Sequence, residues 1–259
     1  MMGLTLTAIL LLALAVPVLA QDGASLKALD YLKTVQNEDG GLTNGFAPES
    51  DIATTADAVV AMVLAGQPLD DWRADMMAYL EAQVTAGTVT AVGPLAKVLD
   101  AVIAAEGDVE DFGGHNLVDD LLAGQAENGV FGNGAFDHCL AMIALENVGI
   151  ELPEGTVEAL VAAQAEDGGW GFMSGQASDT NTTGLCLQAL APTDSPEVVQ
   201  AGLDYLAAIQ NEDGGWPYQS PSDYGTDSDS NSTALVIQAL IASGEDLADW
   251  NNPQDWLLT

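Results

Sequence analysis

Basic side chains are nearly missing from this chain. Lys27, Lys33, Arg73 and Lys97 are the only lysines and arginines in 259 residues, against 39 aspartates and glutamates, which leaves a net charge of −35. Nucleic acid is thereby excluded as a partner, because neutralising phosphates takes clustered lysine and arginine. An anionic membrane surface would repel the chain as well. Sulfur and imidazole are scarce too: there are two cysteines, Cys139 and Cys186, and two histidines, His115 and His138. Hydrophobic residues still make up 48% of the chain, so the acidity belongs to solvated faces around a core rather than to disorder. A salt-adapted or exported surface accounts for it, and divalent cation binding is the sharper reading.

The N-terminal residues read as an export signal. Leu6 to Leu19 is an almost unbroken apolar run that closes on Val18-Leu19-Ala20, with a small residue before the expected cut at Gln21. Residues 1–20 carry no lysine or arginine, so the usual basic start of a signal peptide is missing. A retained N-terminal anchor is the alternative. No later segment is long and apolar enough to span a bilayer. The expected location is secreted or extracytoplasmic, with residues 21–259 as the mature domain.

That mature domain is repetitive. A glutamine, three residues, a glycine and then a bulky apolar residue recurs five times: Gln36 to Gly40 with Leu42, Gln83 to Gly87 with Val89, Gln125 to Gly129 with Phe131, Gln164 to Gly168 with Trp170, and Gln210 to Gly214 with Trp216. The spacing lies in the period range of helical-pair repeats. Before each glutamine runs an amphipathic stretch such as Leu26, Leu29, Leu32 and Val35, or Val199, Leu203, Leu206 and Ile209. After each turn comes a more apolar helix that closes on a pair such as Ala61-Met62 or Ala239-Leu240. Gly66, Gly107, Gly149 and Gly244 follow these pairs as expected left-handed caps. Ala191-Pro192 stops the fourth such helix instead.

The second helices start alike, on Asp51 with Thr54 and Thr55, on Asp179 with Asn181 and Thr183, and on Asp229 with Asn231 and Thr233. Short oxygen-bearing side chains there bond the unpaired amides of a first helical turn, and carboxylates also meet the positive end of the helix dipole. These aspartates are read as caps before they are read as site residues.

Lys27-Ala28-x-x-Tyr31-Leu32-x-x-x-Gln36-x-x-x-Gly40-x-Leu42 and Gly202-x-x-Tyr205-Leu206-x-x-x-Gln210-x-x-x-Gly214-x-Trp216 resemble the QW repeat of the terpene cyclase and protein prenyltransferase superfamily. Leu42 replaces the tryptophan in the first, and Ala201 the basic opening residue in the second. The resemblance spans nearly all of the mature chain. It implies an all-α fold, an α/α toroid in which inner helices ring an axis and outer helices surround them. It also implies that the glutamines and aromatics are scaffold.

The superfamily's catalytic groups are not matched. Class II terpene cyclases use an Asp-x-Asp-Asp acid followed by Thr-Ala; aligned on Thr233-Ala234, this chain offers Asp229-Ser230-Asn231-Ser232, and an amide cannot donate the proton. Asp179 and Asp51 open segments that fail in the same way. Carbocation chemistry also wants aromatic faces. The expected inner helices, roughly Ala53 to Leu64, Pro94 to Ala105, Asp137 to Leu145, Thr183 to Leu190 and Thr233 to Ile241, contain no Phe, Tyr or Trp. Asp137-His138-Cys139 resembles the Asp-x-Cys part of a prenyltransferase zinc site. The remaining histidine, His115, belongs to the same repeat, and too few basic residues remain to grip a diphosphate, so Asp137 is read as a helix cap. Asp227-Ser228-Asp229-Ser230-Asn231 copies the start of a calcium loop. Ser232 and Gln238 then stand where the loop needs glycine and glutamate. No metal and no cofactor is expected.

Two further toroid families share this architecture. Thioester proteins of the complement type carry a Gly-Cys-Gly-Glu-Gln segment that neither cysteine has around it. Secreted cobalamin carriers bind their ligand in a toroid without catalytic residues, but pair it with a β-rich domain that is absent here. The expected function is an exported, non-catalytic binding module whose ligand is a small apolar or corrinoid-like compound, or another protein. Trp170, Phe172, Trp216, Tyr218, Asp179, Asp229 and Asn231 are its candidate residues at the mouth of the toroid. The alternative is a divergent terpenoid cyclase or prenyltransferase-like enzyme whose acid has moved to a buried carboxyl in the axial cavity.

Two structural expectations complete the reading. Repeat spacing places a sixth glutamine near residue 260, so the toroid is expected to be incomplete, with an apolar edge at Trp250, Trp256, Leu257 and Leu258. Aligning Ala144-Leu145 with Ala189-Leu190 sets Cys139 opposite Gly184, about half a helical turn from Cys186. Two packed thiols are therefore expected, although export permits a disulfide.

Overall fold

The computed structural model describes residues 23–66 and 71–258. The expected signal segment lies outside them. Among the described residues, ten of the eleven α-helices fall into two sets. The inner helices are α2 (Ile52–Leu64), α4 (Val92–Ala104), α6 (Ala135–Val148), α8 (Thr180–Leu190) and α10 (Ser230–Ala242). The outer helices are α1 (Gly23–Thr34), α3 (Asp71–Thr85), α5 (Leu117–Leu122), α7 (Thr156–Ala162) and α9 (Pro196–Ile209). Inner helices pack side by side in chain order, and α2, α4, α6 and α8 each pack on the outer helix that follows. A 3-10 turn (Leu247–Trp250) and α11 (Pro253–Leu257) stand where the next outer helix would follow α10. The strands are minimal: β1 (Leu42–Thr43) pairs antiparallel with β2 (Ser50–Asp51) inside the first turn.

Small residues allow the inner ring to close up. Ala56, Ala58, Ala96, Ala101, Ala141, Ala144, Ala189 and Ala239 are buried, and a Cβ at Gly184 would press on the backbone of Leu235 in the next inner helix. Leu42, Phe131, Trp170 and Trp216, the residues two past the repeat glycine, are wholly buried beneath the turns.

Several expectations are corrected. Cys139 and Cys186 form a disulfide between α6 and α8, their Cα atoms 5.2 Å apart, in place of two packed thiols. The third turn is short, with only three residues between Phe131 and Ala135. The two positions face each other across α6 and α8 despite the half-turn offset that alignment of the helix ends implied. The early start of α6 brings Phe136 into an inner helix, so the inner ring is not free of aromatics. In the second repeat Glu106, at φ 58°, takes the left-handed cap position assigned to Gly107, while the Gly107 amide bonds back to Val102 O at 2.8 Å. Trp250 is buried against Trp216, with ring centroids 6.2 Å apart, rather than lying on an open edge; Leu258 is 60% exposed.

Candidate functional site

The repeat glutamines act as clamps. Gln36 Nε2 donates to Gly40 O (2.9 Å) and Trp72 O (3.4 Å). Gln164 reaches Gly168 O (2.8 Å) and Val198 O (2.9 Å), and Gln210 reaches Gly214 O (3.0 Å) and Trp250 O (2.8 Å). Gln125 bonds Gly129 O (3.2 Å) and Thr156 Oγ1 (2.9 Å). Gln36, Gln125 and Gln164 thus tie their turns to the start of the next outer helix, and Gln210 ties its turn to the end of the 3-10 turn that precedes α11. Glycine is required beside the clamp, because a Cβ at Gly40, Gly129 or Gly168 would collide with the carbonyl of Asp75, Gly155 or Ala201, and φ there is 85–89°.

A second latch joins each turn to its inner helix. The amides of Leu42, Trp170 and Trp216 donate to the hydroxyls of Thr55, Thr183 and Thr233 at 2.9, 3.0 and 3.0 Å. In the short third turn the longer imidazole of His138 does this work. Its Nδ1 accepts from the Phe131 amide at 2.9 Å, and its Nε2 lies 3.0 Å from Thr156 O. Burial pushes the His138 ring below its ordinary pKa, against the bond to Thr156. Cys139 is held in its disulfide, and Asp137 takes the Asn133 amide (3.3 Å) from the first turn of α6, where Gly134 rather than Asp137 is the N-cap. The donors that resemble a zinc set are thus all engaged in scaffold contacts. Among the described residues no three His, Cys, Asp or Glu side chains converge as a metal site.

The predicted mouth residues divide. Trp170 and Trp216 are fully buried, and their indole N–H groups donate to Leu160 O (3.0 Å) and Leu206 O (2.8 Å) inside the preceding outer helices. They present no surface to a ligand. Asp179 caps α8, accepting from Thr182 N (2.8 Å) and Thr182 Oγ1 (2.9 Å). Burial raises its carboxyl above the ordinary range, opposed by those bonds and by the amides of Phe172 and Asn181. Asp229 caps α10 in the same way through Ser232 N and Oγ, both at 2.8 Å, and Ser232 Oγ also reaches Asn181 Oδ1 at 2.8 Å. Phe172 and Tyr218 are 44% and 48% exposed, Phe172 stacking on Phe136 at 5.1 Å. The Tyr218 carbonyl accepts the Thr180 amide at 2.8 Å. Phe172, Asp179, Tyr218 and Asp229 therefore do gather at one end of α8 and α10, and Asn231 stands exposed in the first turn of α10.

A second set of polar residues was not anticipated. Neighbouring helices cover the flanks of each inner helix and the outer helices cover its back, so its remaining exposed stripe faces the axis. On α2 that stripe is Asp57, Ala61 and Leu64; on α4, Lys97, Asp100 and Ala104; on α6, Ile143 and Asn147, with Glu146 beside them. On α8 and α10 it holds Asn181, Gln188, Asn231, Gln238 and Ile241. Lys97 Nζ bonds Asp57 Oδ2 at 2.6 Å, and Asn147 Nδ2 bonds Asp100 Oδ1 at 2.9 Å, so polar contacts lace α2 to α4 to α6. Partial desolvation pushes Asp100 up to about 6 and Glu146 up to about 7. Asp57 is also raised by burial, against the pull of Lys97, although its side chain is 57% accessible. A concave wall reconciles these: water reaches the carboxylate, but protein fills most of the space around it.

The signal for this set lay in the sequence, since Asp57 interrupts IATTADAVVAMVL and Lys97 and Asp100 interrupt VGPLAKVLDAVIA. Ionisable groups inside such apolar helices need a reason to be there.

Known proteins share the architecture. A protein from Actinoplanes superimposes with a TM-score of 0.63 at 17% identity, covering 91% of this chain and 79% of its own. The ent-copalyl diphosphate synthase from Streptomyces platensis superimposes at 0.58 and 19% identity, covering 83% of this chain and 46% of the synthase. Identities this low speak for the fold alone. No curated protein matches the chain. The family model of the prenyltransferase alpha-alpha toroid domain matches residues 4–100 and 135–258. Most of the chain is covered by that match, and it belongs to the prenyltransferase alpha-alpha toroid domain family.

Proposed function

We propose that this chain is an exported, non-catalytic binding module that takes its ligand in the axial lumen and at the mouth formed by Phe172, Tyr218, Asp229 and Asn231, with Asp179 buried beneath them as a helix cap. The observation that carries the reading is the composition of the lumen. One wall bears Asp57, Lys97, Asp100 and Asn147, and the other bears amides among aliphatic groups. The only aromatic residue of the inner helices, Phe136, is engaged with Phe172 near one end. A carbocation would meet an amine and carboxylates there instead of π-faces. The aspartate at the cyclase position is fixed as a helix cap, like Asp51 and Asp179. Such a lumen suits a compound with both apolar surface and hydrogen-bonding groups, of which an amide-fringed corrinoid is one kind. The disulfide supports export, because such bonds persist in oxidising compartments.

A divergent cyclase is the second reading, favoured by the raised carboxyls of Asp100 and Glu146 on inner helices. Against it, a carboxyl raised to about 6 or 7 is a poor acid for protonating an alkene. The two readings separate in one experiment with purified mature chain. Binding is followed by thermal shift against corrinoids and polyprenyl compounds, and turnover of squalene and polyprenyl diphosphates is followed by product analysis. The binding reading expects saturable stabilisation that is weakened in Lys97→Met, with no product. Product that disappears in Asp100→Asn or Glu146→Gln would replace it with the cyclase.

A further inference from the structure

The first outer helix lacks a partner that the later ones have. Helices α3, α5, α7 and α9 each pack on the inner helix that precedes them in the chain, but no inner helix precedes α1 among the described residues. The consequence shows at matched positions. Tyr205 and Leu206 of α9, which packs on α8, are 6% and 0% exposed, whereas their counterpart Tyr31 in α1 is 65% exposed and Leu32 is half-buried. The inner ring is open at the same place. Inner helices pack on their neighbours in chain order, while α2 and α10, at the two ends of the row, share no such packing. By the order of the other repeats, the helix wanting under α1 is also the one that would stand beside α2.

The chain ahead of α1 has the sequence of such a helix. In α2, α6, α8 and α10 the latch residue, Thr55, His138, Thr183 or Thr233, stands seven residues before the large member of the closing pair, Met62, Leu145, Leu190 or Leu240. Thr7 stands seven residues before the leucine of Ala13-Leu14. The next clamp glutamine follows each closing pair by about twenty residues, and Gln36 follows Leu14 by about the same distance. Pro17 closes the run much as Pro192 follows α8. Thr5 to Val16 matches the length of the inner helices, which run from 11 to 14 residues, and it is apolar on all sides, as suits a helix with protein all round it. The match to the toroid family model takes in this stretch, since it runs from residue 4. An export signal needs an apolar run but not this phase.

We infer that in the uncut chain Thr5 to Val16 docks as a sixth inner helix, in the slot beside α2 and beneath α1, where it covers Tyr31. The inference concerns the chain before any cut at Gln21. It does not depend on what the lumen binds.

Trypsin tests it, because Lys27 and Lys33 are exposed on α1 and cutting there requires that helix to open. In the uncut chain, at concentrations where it is monomeric, cleavage at the two lysines should be at least about tenfold slower than in a chain that starts at Gln21. Leu14 is the counterpart of Leu145, Leu190 and Leu240, all fully buried, so Leu14→Asp in the uncut chain should bring back the fast rate. Val18→Asp lies in the same apolar run but past Pro17, and it should keep the slow one. Equal rates in the uncut and Gln21 chains overturn the inference, as does equal resistance of Leu14→Asp and its parent. Equal loss of resistance in Leu14→Asp and Val18→Asp also overturns it, by assigning the protection to unspecific apolar contact. An uncut chain that cannot be kept monomeric overturns it too, since a segment buried in the ring leaves no apolar run to bring copies together.

Discussion

The two halves of the ring solve the same packing problem with different chemistry. From α8 onward the turns are closed by Trp170 and Trp216, each latched to a threonine and bonded through its indole to the preceding outer helix, and the lumen stripe is uncharged. From α2 to α6 the turns carry Leu42, Val89 and Phe131, and the lumen stripe is charged. Val89 is only half-buried, and Ala91 caps α4 without any side-chain bond. Among these turns only the second, at Val89, shows no such latch, and there α4 is tied directly to both neighbours by Lys97–Asp57 and Asp100–Asn147. The repeat thus tolerates decay at one end of a hairpin when cross-links appear on its concave face.

The largest effects should expose that asymmetry. Trp216→Ala removes a fully buried ring and an indole bond and is expected to cost about 3–5 kcal/mol. Val89→Ala, on half-buried surface, should cost about 1 kcal/mol. Urea denaturation of the two variants checks this, and equal losses would abolish the contrast between halves. Next is the seam. The Cys139–Cys186 disulfide joins α6 to α8 across 47 residues of chain, and its reduction should cost about 2–4 kcal/mol. Melting with and without reductant measures it.

The pH dependence should belong to the charged half. Burial holds the folded-state pKa of Asp100 at about 6 and of Glu146 at about 7, above the ordinary 3.8 and 4.5, so the native protein binds more protons than the unfolded one between those limits. Stability contributed by these groups is present below the unfolded pKa and is lost as pH rises through the folded value. The parent should therefore melt progressively lower between about pH 4 and pH 7, and the double variant Asp100→Asn, Glu146→Gln should flatten that slope. A slope that survives the double substitution assigns it elsewhere.

The smallest effect tests the caps of the uncharged half. Asp229→Asn keeps the acceptor that holds the Ser232 amide and should change stability by a few tenths of a kcal/mol, whereas Asp229→Ala should cost about 1 kcal/mol. Equal losses for the two would mean that the charge, not the cap, is what Asp229 supplies.

Local chemistry was legible from residue order. The helical hairpins and the caps at Asp51, Asp179 and Asp229 follow from patterns a few residues long, whereas the full burial of Trp170 and Trp216, expected at the mouth, did not. The disulfide and the lumen network did not follow, because both depend on how far one inner helix slides along the next. Asp57 and Lys97 are 40 residues apart, and Asp100 and Asn147 are 47 apart. Their meeting is decided by turn lengths and by the fit of alanines between helices, which a periodic pattern does not encode. The role of His138 was not legible either: it stands four residues past the N-cap Gly134, where Thr55, Thr183 and Thr233 stand in their helices, and serves as the latch in their place.

The clamps carry one mechanical consequence. Gln36, Gln125, Gln164 and Gln210 each join a turn to the following outer element, whereas among the described residues Gln83 bonds only within its own turn, through Thr88 Oγ1 to its backbone and side-chain oxygens at 2.9 and 2.8 Å. Under a pulling force applied at its ends, an array stabilised by nearest-neighbour contacts yields at its weakest junction. After the second hairpin the glutamine clamp is missing, and Thr85 Oγ1 to Gly113 O (3.2 Å) and Asn147 Nδ2 to Asp100 Oδ1 (2.9 Å) hold the junction instead, so under load that junction rests on two side-chain bonds while the third and fourth hairpins are stapled covalently.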